Sequence, residues 1–150
     1  MLKEYKGLFP EITLNYKKGT MKRFKITSSR DTDEVLREIM NKDTLELQEE
    51  FVVIFLNNAN NSVGWIRLSV GGMTGTLVDV RLLMVTALQC GASSVILSHN
   101  HPSGSLKPSK ADKALTNKIV KAGNTLDIRV LDHMIITDES YFSFSDEGLI

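Results

Sequence analysis

Cysteine is almost absent from this chain, and its charges cancel. The 150 residues include one cysteine, and the formal net charge is zero. A single cysteine excludes an intramolecular disulfide, so we predict a reducing, cytoplasmic location. It also excludes the zinc deaminase pattern, which needs a Pro-Cys-x-x-Cys segment. Zero net charge gives no electrostatic reason to expect nucleic acid or an anionic membrane as a partner.

Long hydrophobic runs are also missing. The apolar run over residues 51–56 is far too short to cross a bilayer, and the first residues lack the apolar core of a signal peptide. We therefore expect no membrane partner. Hydrophobic residues make up 42% of the chain and charged residues 24%, as in ordinary globular proteins of one domain.

The pattern of apolar and polar residues indicates that the chain has two parts. Residues 11–16 and 23–27 alternate on either side of a Lys-Lys-Gly-Thr turn, which is typical of a β-hairpin. We predict that residues 1–30 form this hairpin as an extension that packs on the rest. Residues 30–150 are then the main domain.

The main domain has a pattern in which helices and strands alternate. Helices are predicted over residues 32–40, 79–90 and 109–122, the first capped by Ser29 or Asp31 and the last ended by Gly123. Strands are predicted over residues 51–56, 63–70, 93–98, 128–137 and 141–145. This order predicts an α/β fold of three layers, α/β/α, around a mixed sheet.

Two histidines, a serine and an aspartate lie close together directly after a predicted buried strand. His99 and His101 project the same way from an extended segment, and Asp112 follows in the first turn of the next helix. Two imidazoles and a carboxylate are good ligands for Zn²⁺, and three protein ligands leave a fourth position for water. The segment therefore predicts a catalytic metal site.

Ser109 and the acidic pair Glu49-Glu50 each have two interpretations. Ser109 and Asp112 have the spacing of a helix capping box, and both can also face the histidines. Hydrolysis at a metal needs a base that does not bind the metal, and Glu49 or Glu50, before a buried strand, is the best candidate. From composition alone, ordinary surface acids are the simpler interpretation of that pair.

The spacing His99-x-His101, seven residues, then Ser109-x-x-Asp112 resembles the JAMM metalloprotease motif of JAB/MPN domains. The form His99-Asn-His101-Pro-Ser-Gly104 resembles the RadC family in particular. Other matching segments are residues 75–77, residues 127–133 and Tyr141-x-Ser143, so the resemblance covers roughly residues 30–150.

The resemblance implies a cytidine-deaminase-like α/β/α fold and a zinc ion held by His99, His101 and Asp112. It implies that Glu49 is the catalytic glutamate, with Glu50 as the alternative, and that Ser109 steadies the oxyanion. The helix-hairpin-helix module usual at the amino end of RadC proteins does not fit within residues 1–30, which weakens an inherited DNA role.

We therefore predict a zinc metallopeptidase or isopeptidase-like hydrolase acting on a peptide or protein. The alternatives are a metal-dependent enzyme that acts on nucleic acid, which the lysines around the site helix favour, and a non-catalytic interaction domain that binds a structural metal or none. His133 is interpreted as a hydrogen-bonded structural histidine that shares a face with Arg129, Leu131 and Ile135; support of a metal ligand is the alternative. The sequence leaves the oligomeric state open.

Overall fold

The computed structural model describes residues 23–72 and 77–150, and these form a sheet with helices on both faces. The helices are α1 (Ser29–Ile39), α2 (Val80–Gln89) and α3 (Lys110–Thr125), and the strands are β1 (Glu50–Leu56), β2 (Ser62–Val70), β3 (Ser94–Asn100), β4 (Arg129–Ile136) and β5 (Tyr141–Ser143). The strand order is β2-β1-β3-β4-β5, with β3 and β4 parallel and the other neighbours antiparallel. The predicted α/β fold with a mixed sheet is confirmed.

The central strands are buried on both faces, and their side chains alternate between two cores. Phe51, Val53 and Leu97 point toward α2 and α3, where they pack with Leu83 and Ile119. The residues between them point to the other face, where Leu36 of α1 covers Val52, Ile54 and Ile96. This alternation follows from the pleat of a strand, and it makes α1 one outer layer and α2 with α3 the other.

The first helix begins earlier than predicted. Its N-cap is Ser28, whose side chain accepts a hydrogen bond from the Asp31 N–H, while Asp31 bonds back to the cap backbone. Neither Ser29 nor Asp31 is the cap, because the residue three positions before an acidic side chain completes a capping box. Of the predicted hairpin, residues 11–16 lie outside the described residues, and Lys25 forms an isolated bridge with Asn61.

Gly123 does not end α3, which continues to Thr125. A Cβ on Gly123 would stand 2.3 Å from the main-chain oxygen of Ile128, whose N–H donates to the Gly123 carbonyl. Glycine therefore lets the chain leading into β4 cross close to the helix. We predicted that Gly123 ends the helix, but glycine is needed at this position because another part of the backbone passes close to it.

A bulge in β4 changes which residues share a face with His133. Val95 pairs with Val130, but the next residue, Ile96, pairs with Asp132, so Leu131 is an extra residue. Val130 packs in the α3-side core and Leu131 on the α1 side. Our prediction that His133 shares a face with Leu131 is wrong, because the bulge reverses the alternation.

Candidate metal centre

The site lies at the carboxyl end of β3, on the face covered by α3. Phe51 of the antiparallel strand β1 pairs with His99, so the start of β1 lies beside the end of β3. His101 follows β3, and its N–H donates to the Ile136 carbonyl, which holds the loop against β4. Asp112 belongs to the first turn of α3. Three elements therefore converge at one sheet end, as open α/β sheets favour for ligand sites.

Both histidines direct the same ring nitrogen toward Asp112. The Nε2 atoms of His99 and His101 lie 2.9 Å apart. Asp112 Oδ1 is 3.4 Å from His99 Nε2, and its Oδ2 is 3.6 Å from His101 Nε2. One donor atom from each of the three side chains lies within 4.8 Å of the others, as a shared cation requires.

The donor set fits Zn²⁺. Tetrahedral coordination at about 2.0–2.1 Å separates ligand atoms by roughly 3.3 Å, close to the spacings found here. The Nδ1 atom of His101 lies 2.6 Å from the Ser105 carbonyl, which can only accept, so that nitrogen carries the proton. This leaves the Nε2 lone pair of His101 for the metal. His₂Asp also suits other divalent ions, so the geometry defines a candidate metal site rather than the ion.

The charges at the site attract one another. The nearby Asp112 carboxylate raises the pKa of His101, against the effect of burial, and the Ser105 carbonyl acts in the same direction. Burial alone would raise the pKa of Asp112, but the His101 and His99 rings, 3.6 and 3.4 Å from its carboxylate oxygens, outweigh it and lower that pKa well below its ordinary value. The aspartate is therefore an anion, which is the form that binds a cation.

Glu49 and Glu50 point to opposite faces, as neighbours in an extended chain must. Glu49 lines an open cleft of about 570 Å³ together with His99, His101, Asp112 and Ser109. Burial raises the pKa of Glu49, although the nearby histidines act to lower it. Glu50 accepts a hydrogen bond from Arg67 and another from the Asn41 N–H, away from the cleft. The structure therefore brings Glu49, and not Glu50, to the candidate ligands.

Ser109 is the N-cap of α3 and also borders the cleft. Its Oγ accepts from the Asp112 N–H at 3.0 Å, and its own N–H donates to Asp112 Oδ2 at 2.6 Å. The capping-box interpretation is correct. The hydroxyl proton is not used by that cap, so it remains able to donate into the cleft. The two interpretations of Ser109 are compatible.

His133 lies behind the site and contacts it directly. It is fully buried, and its Nε2 lies 2.8 Å from His99 Nδ1. Its Nδ1 lies 2.6 Å from Oγ1 of Thr116, a residue of α3 that the sequence analysis missed. Phe144 stacks on the His133 ring and Phe51 meets it edge-on, so the surroundings are apolar. Thr116 lies four residues after Asp112, so it is on the same face of the helix one turn further along, and this spacing could have indicated that it lies near the site.

Comparison with known proteins gives the family. An α/β domain that presents a His-x-His pair and a helix-borne aspartate to one point is a candidate metal-binding domain. The family model for the RadC-like JAB domain matches residues 26–149, and the chain belongs to that family.

Several bacterial relatives are similar over most of the chain. A UPF0758 protein of Flavobacterium johnsoniae is 50% identical over 129 residues, which are 86% of this chain and 55% of that protein. The UPF0758 protein YeeS of Escherichia coli K12 is 43% identical over 124 residues, 83% of this chain and 82% of that protein. The chain spans about half the length of several curated relatives that it matches.

The length and apolar character of the helices show whether one of them could cross a membrane. Within residues 23–72 and 77–150, no helix has the length and apolar character needed to cross a bilayer.

Proposed function

We propose that this domain is a zinc-dependent hydrolase that cleaves an amide bond of a peptide or protein. The observation that supports the proposal most directly is that one cleft holds three candidate ligand atoms and, beside them, the partly buried carboxylate of Glu49. Metal-dependent hydrolysis needs both: ligands that leave one coordination position open, and a base that does not bind the metal.

Each residue of the cleft has a distinct role in this proposal. His99, His101 and Asp112 hold the ion, and Zn²⁺, when bound, lowers the pKa of a coordinated water to about 7 and polarises a carbonyl. Glu49 accepts a proton from the attacking water and delivers it to the amide nitrogen as the C–N bond breaks. The raised pKa of Glu49 suits it to hold that proton between the two events. The Ser109 hydroxyl donates to the oxyanion.

The lining of the cleft favours a peptide over a nucleic acid. Phe51, Val78 and Leu115 supply apolar walls beside the carboxylates of Glu49 and Asp112. None of the described residues that line the cleft is lysine or arginine. Phosphate groups need cationic partners, and two carboxylates would repel them. The exposed lysines of α3 lie outside the cleft.

The test compares two adjacent carboxylates. Wild-type protein, Glu49→Gln and Glu50→Gln are loaded with zinc, and metal content is measured by elemental analysis. Each protein is then incubated with a proteome-derived peptide library and, separately, with single-stranded and duplex DNA oligonucleotides. New termini are read by mass spectrometry.

We expect wild type and Glu50→Gln to cleave the same peptides. Glu49→Gln should retain zinc and lose about 10²–10⁴ in rate, the usual contribution of a general base. Equal cleavage by Glu49→Gln would overturn the role of Glu49. Failure of the wild-type protein to bind zinc would overturn the metal site, and cleavage of DNA alone would replace the peptide by nucleic acid.

A further inference from the structure

The side chains behind the site form a continuous hydrogen-bonded chain that joins two candidate ligands. It runs from the main-chain oxygen of Asp112 through Thr116 and His133 to His99. The successive distances are 2.7 Å from Thr116 Oγ1 to Asp112 O, 2.6 Å from Thr116 Oγ1 to His133 Nδ1, and 2.8 Å from His133 Nε2 to His99 Nδ1. His133 and Thr116 have 0% and 1% of their surface exposed, so water does not compete for these bonds.

Only one arrangement of protons lets His99 bind a metal through Nε2. The Asp112 carbonyl can only accept, so the single hydroxyl proton of Thr116 goes to it. The Thr116 oxygen must then accept from His133 Nδ1. A neutral imidazole has one N–H, so His133 Nε2 is left as an acceptor for His99 Nδ1. His99 Nε2, the atom nearest Asp112, then keeps its lone pair free.

The surroundings of His133 keep it in the neutral form that this arrangement needs. The side chain is 0% exposed and is surrounded by aromatic rings, so a charged imidazolium would be costly there. The ring is held between Phe51 and Phe144, so it cannot easily turn and exchange its two nitrogens. Aspartate carboxylates, main-chain carbonyls and water are the usual partners of a metal-ligating histidine. Here a second histidine takes that place.

We propose that Thr116 and His133 are positioning residues that fix the tautomer of His99, leaving its Nε2 unprotonated for the metal. The β4 bulge at Leu131 is part of the device, because it turns His133 toward α3. The inference rests on the proposed function for the identity of the metal, but the tautomer itself is a property of the metal-free protein. Neither residue touches the substrate.

The first test needs no metal and no substrate. Long-range ¹H–¹⁵N correlation spectra of the metal-free wild-type protein report which ring nitrogen of each histidine carries a proton. We expect His99 to be protonated at Nδ1 and His133 at Nδ1 as well. A His99 that is protonated at Nε2 in the wild-type protein would overturn the inference, whatever the enzyme's activity.

The second test separates the hydroxyl of Thr116 from its shape. Thr116→Val keeps the shape and removes the hydroxyl, whereas Thr116→Ser keeps the hydroxyl and removes a methyl group. Zinc affinity is measured by competition with a chromophoric chelator, and the apo-protein free energy of unfolding is measured in parallel. Loss of an outer partner typically weakens metal binding about 10–100-fold.

We expect Thr116→Val to bind zinc about tenfold more weakly, with Thr116→Ser close to wild type. A purely structural role predicts instead that Thr116→Val lowers the free energy of unfolding, because the buried His133 Nδ1–H loses its partner, and leaves the zinc affinity of the folded protein unchanged. Equal affinity of the valine variant and wild type would overturn the inference. Absence of zinc binding by wild type would instead overturn the proposed function, while the spectra would still decide the tautomer.

Discussion

Two groups of polar side chains lie at the same end of the sheet, on opposite faces. They come from adjacent pairs of residues, since neighbours in a strand point to opposite sides. One member of each pair faces α3 and the candidate site, and the other faces α1. The pairs, with the α3-facing residue first, are Glu49 with Glu50, His99 with Asn100, and His133 with Asp132.

The group facing α1 is fully paired with the protein. Asn100 accepts from the Glu50 N–H and donates to the carbonyls of Leu45 and Gln48. Asp132 accepts from the Ser143 hydroxyl and from two main-chain N–H groups. Such partners satisfy buried polar atoms and fix the backbone around them.

The group facing α3 directs side chains into the cleft, where they meet His101 and Asp112. His99 and His101 each use one ring nitrogen for the protein and turn the other toward Asp112. Burial is the main influence on the pKa of Glu49, and no hydrogen bond from the described residues contributes to it. The difference teaches that burial of polar groups does not by itself mark a functional site. Ligand atoms that converge on one point of an open cleft do.

Asp112→Asn should give the largest effect in this comparison. The amide is a poor metal ligand, so we expect zinc affinity to fall by more than about 100-fold, beyond the loss from an outer partner. Asp132→Asn is the matched control on the α1 face, and it should keep the wild-type affinity while lowering the free energy of unfolding. Chelator competition and chemical denaturation measure the two quantities. Similar zinc affinities for the two variants would contradict the assignment.

Ser109 contributes to both the fold and the cleft, and its two roles can be separated. Ser109→Ala should lower the free energy of unfolding by about 1 kcal/mol, whereas Ser109→Gly, a better cap, should cost only a few tenths. Loss of an oxyanion donor costs about 10²–10³ in rate, so both variants should be slow. Peptide cleavage and denaturation are compared. A glycine variant with the wild-type rate would restrict Ser109 to capping.

Glu50→Gln should have the smallest effect on the candidate site, because it should affect stability alone. The variant weakens charged hydrogen bonds with Arg67 and the Asn41 N–H, for which we expect a loss of about 2 kcal/mol in the free energy of unfolding. Glu49→Gln is the matched control and should leave that free energy nearly unchanged. Urea denaturation of the zinc-free proteins provides the measurement. The opposite order would mean that the two carboxylates have exchanged structural roles.

The sequence predicted the elements well because burial produces continuous apolar runs. The strands β1 and β3, the helix α2 and the position of the candidate ligands all follow from local patterns. The choice between Glu49 and Glu50 did not, because it depends on which face of β1 meets α3. That face is fixed by the register with β3, where Phe51 pairs with His99.

Features that depend on contacts distant in sequence could not be predicted. The bulge at Leu131 leaves no signal in local alternation, so the environment of His133 was assigned to the wrong face. Gly123 has the composition of a helix end, yet it serves the passage of Ile128. In both cases the partner strand or helix determines the outcome, and a single sequence does not name that partner.

The candidate ligands lie close together along the chain, with only twelve residues separating His99 from Asp112. An ion held by them would therefore close a short loop, and a short loop costs little entropy to form even in a denatured chain. Residual affinity of the unfolded chain would subtract from the stabilisation that metal gives the native state. Zinc should thus raise the melting temperature by less than its affinity for the folded protein implies.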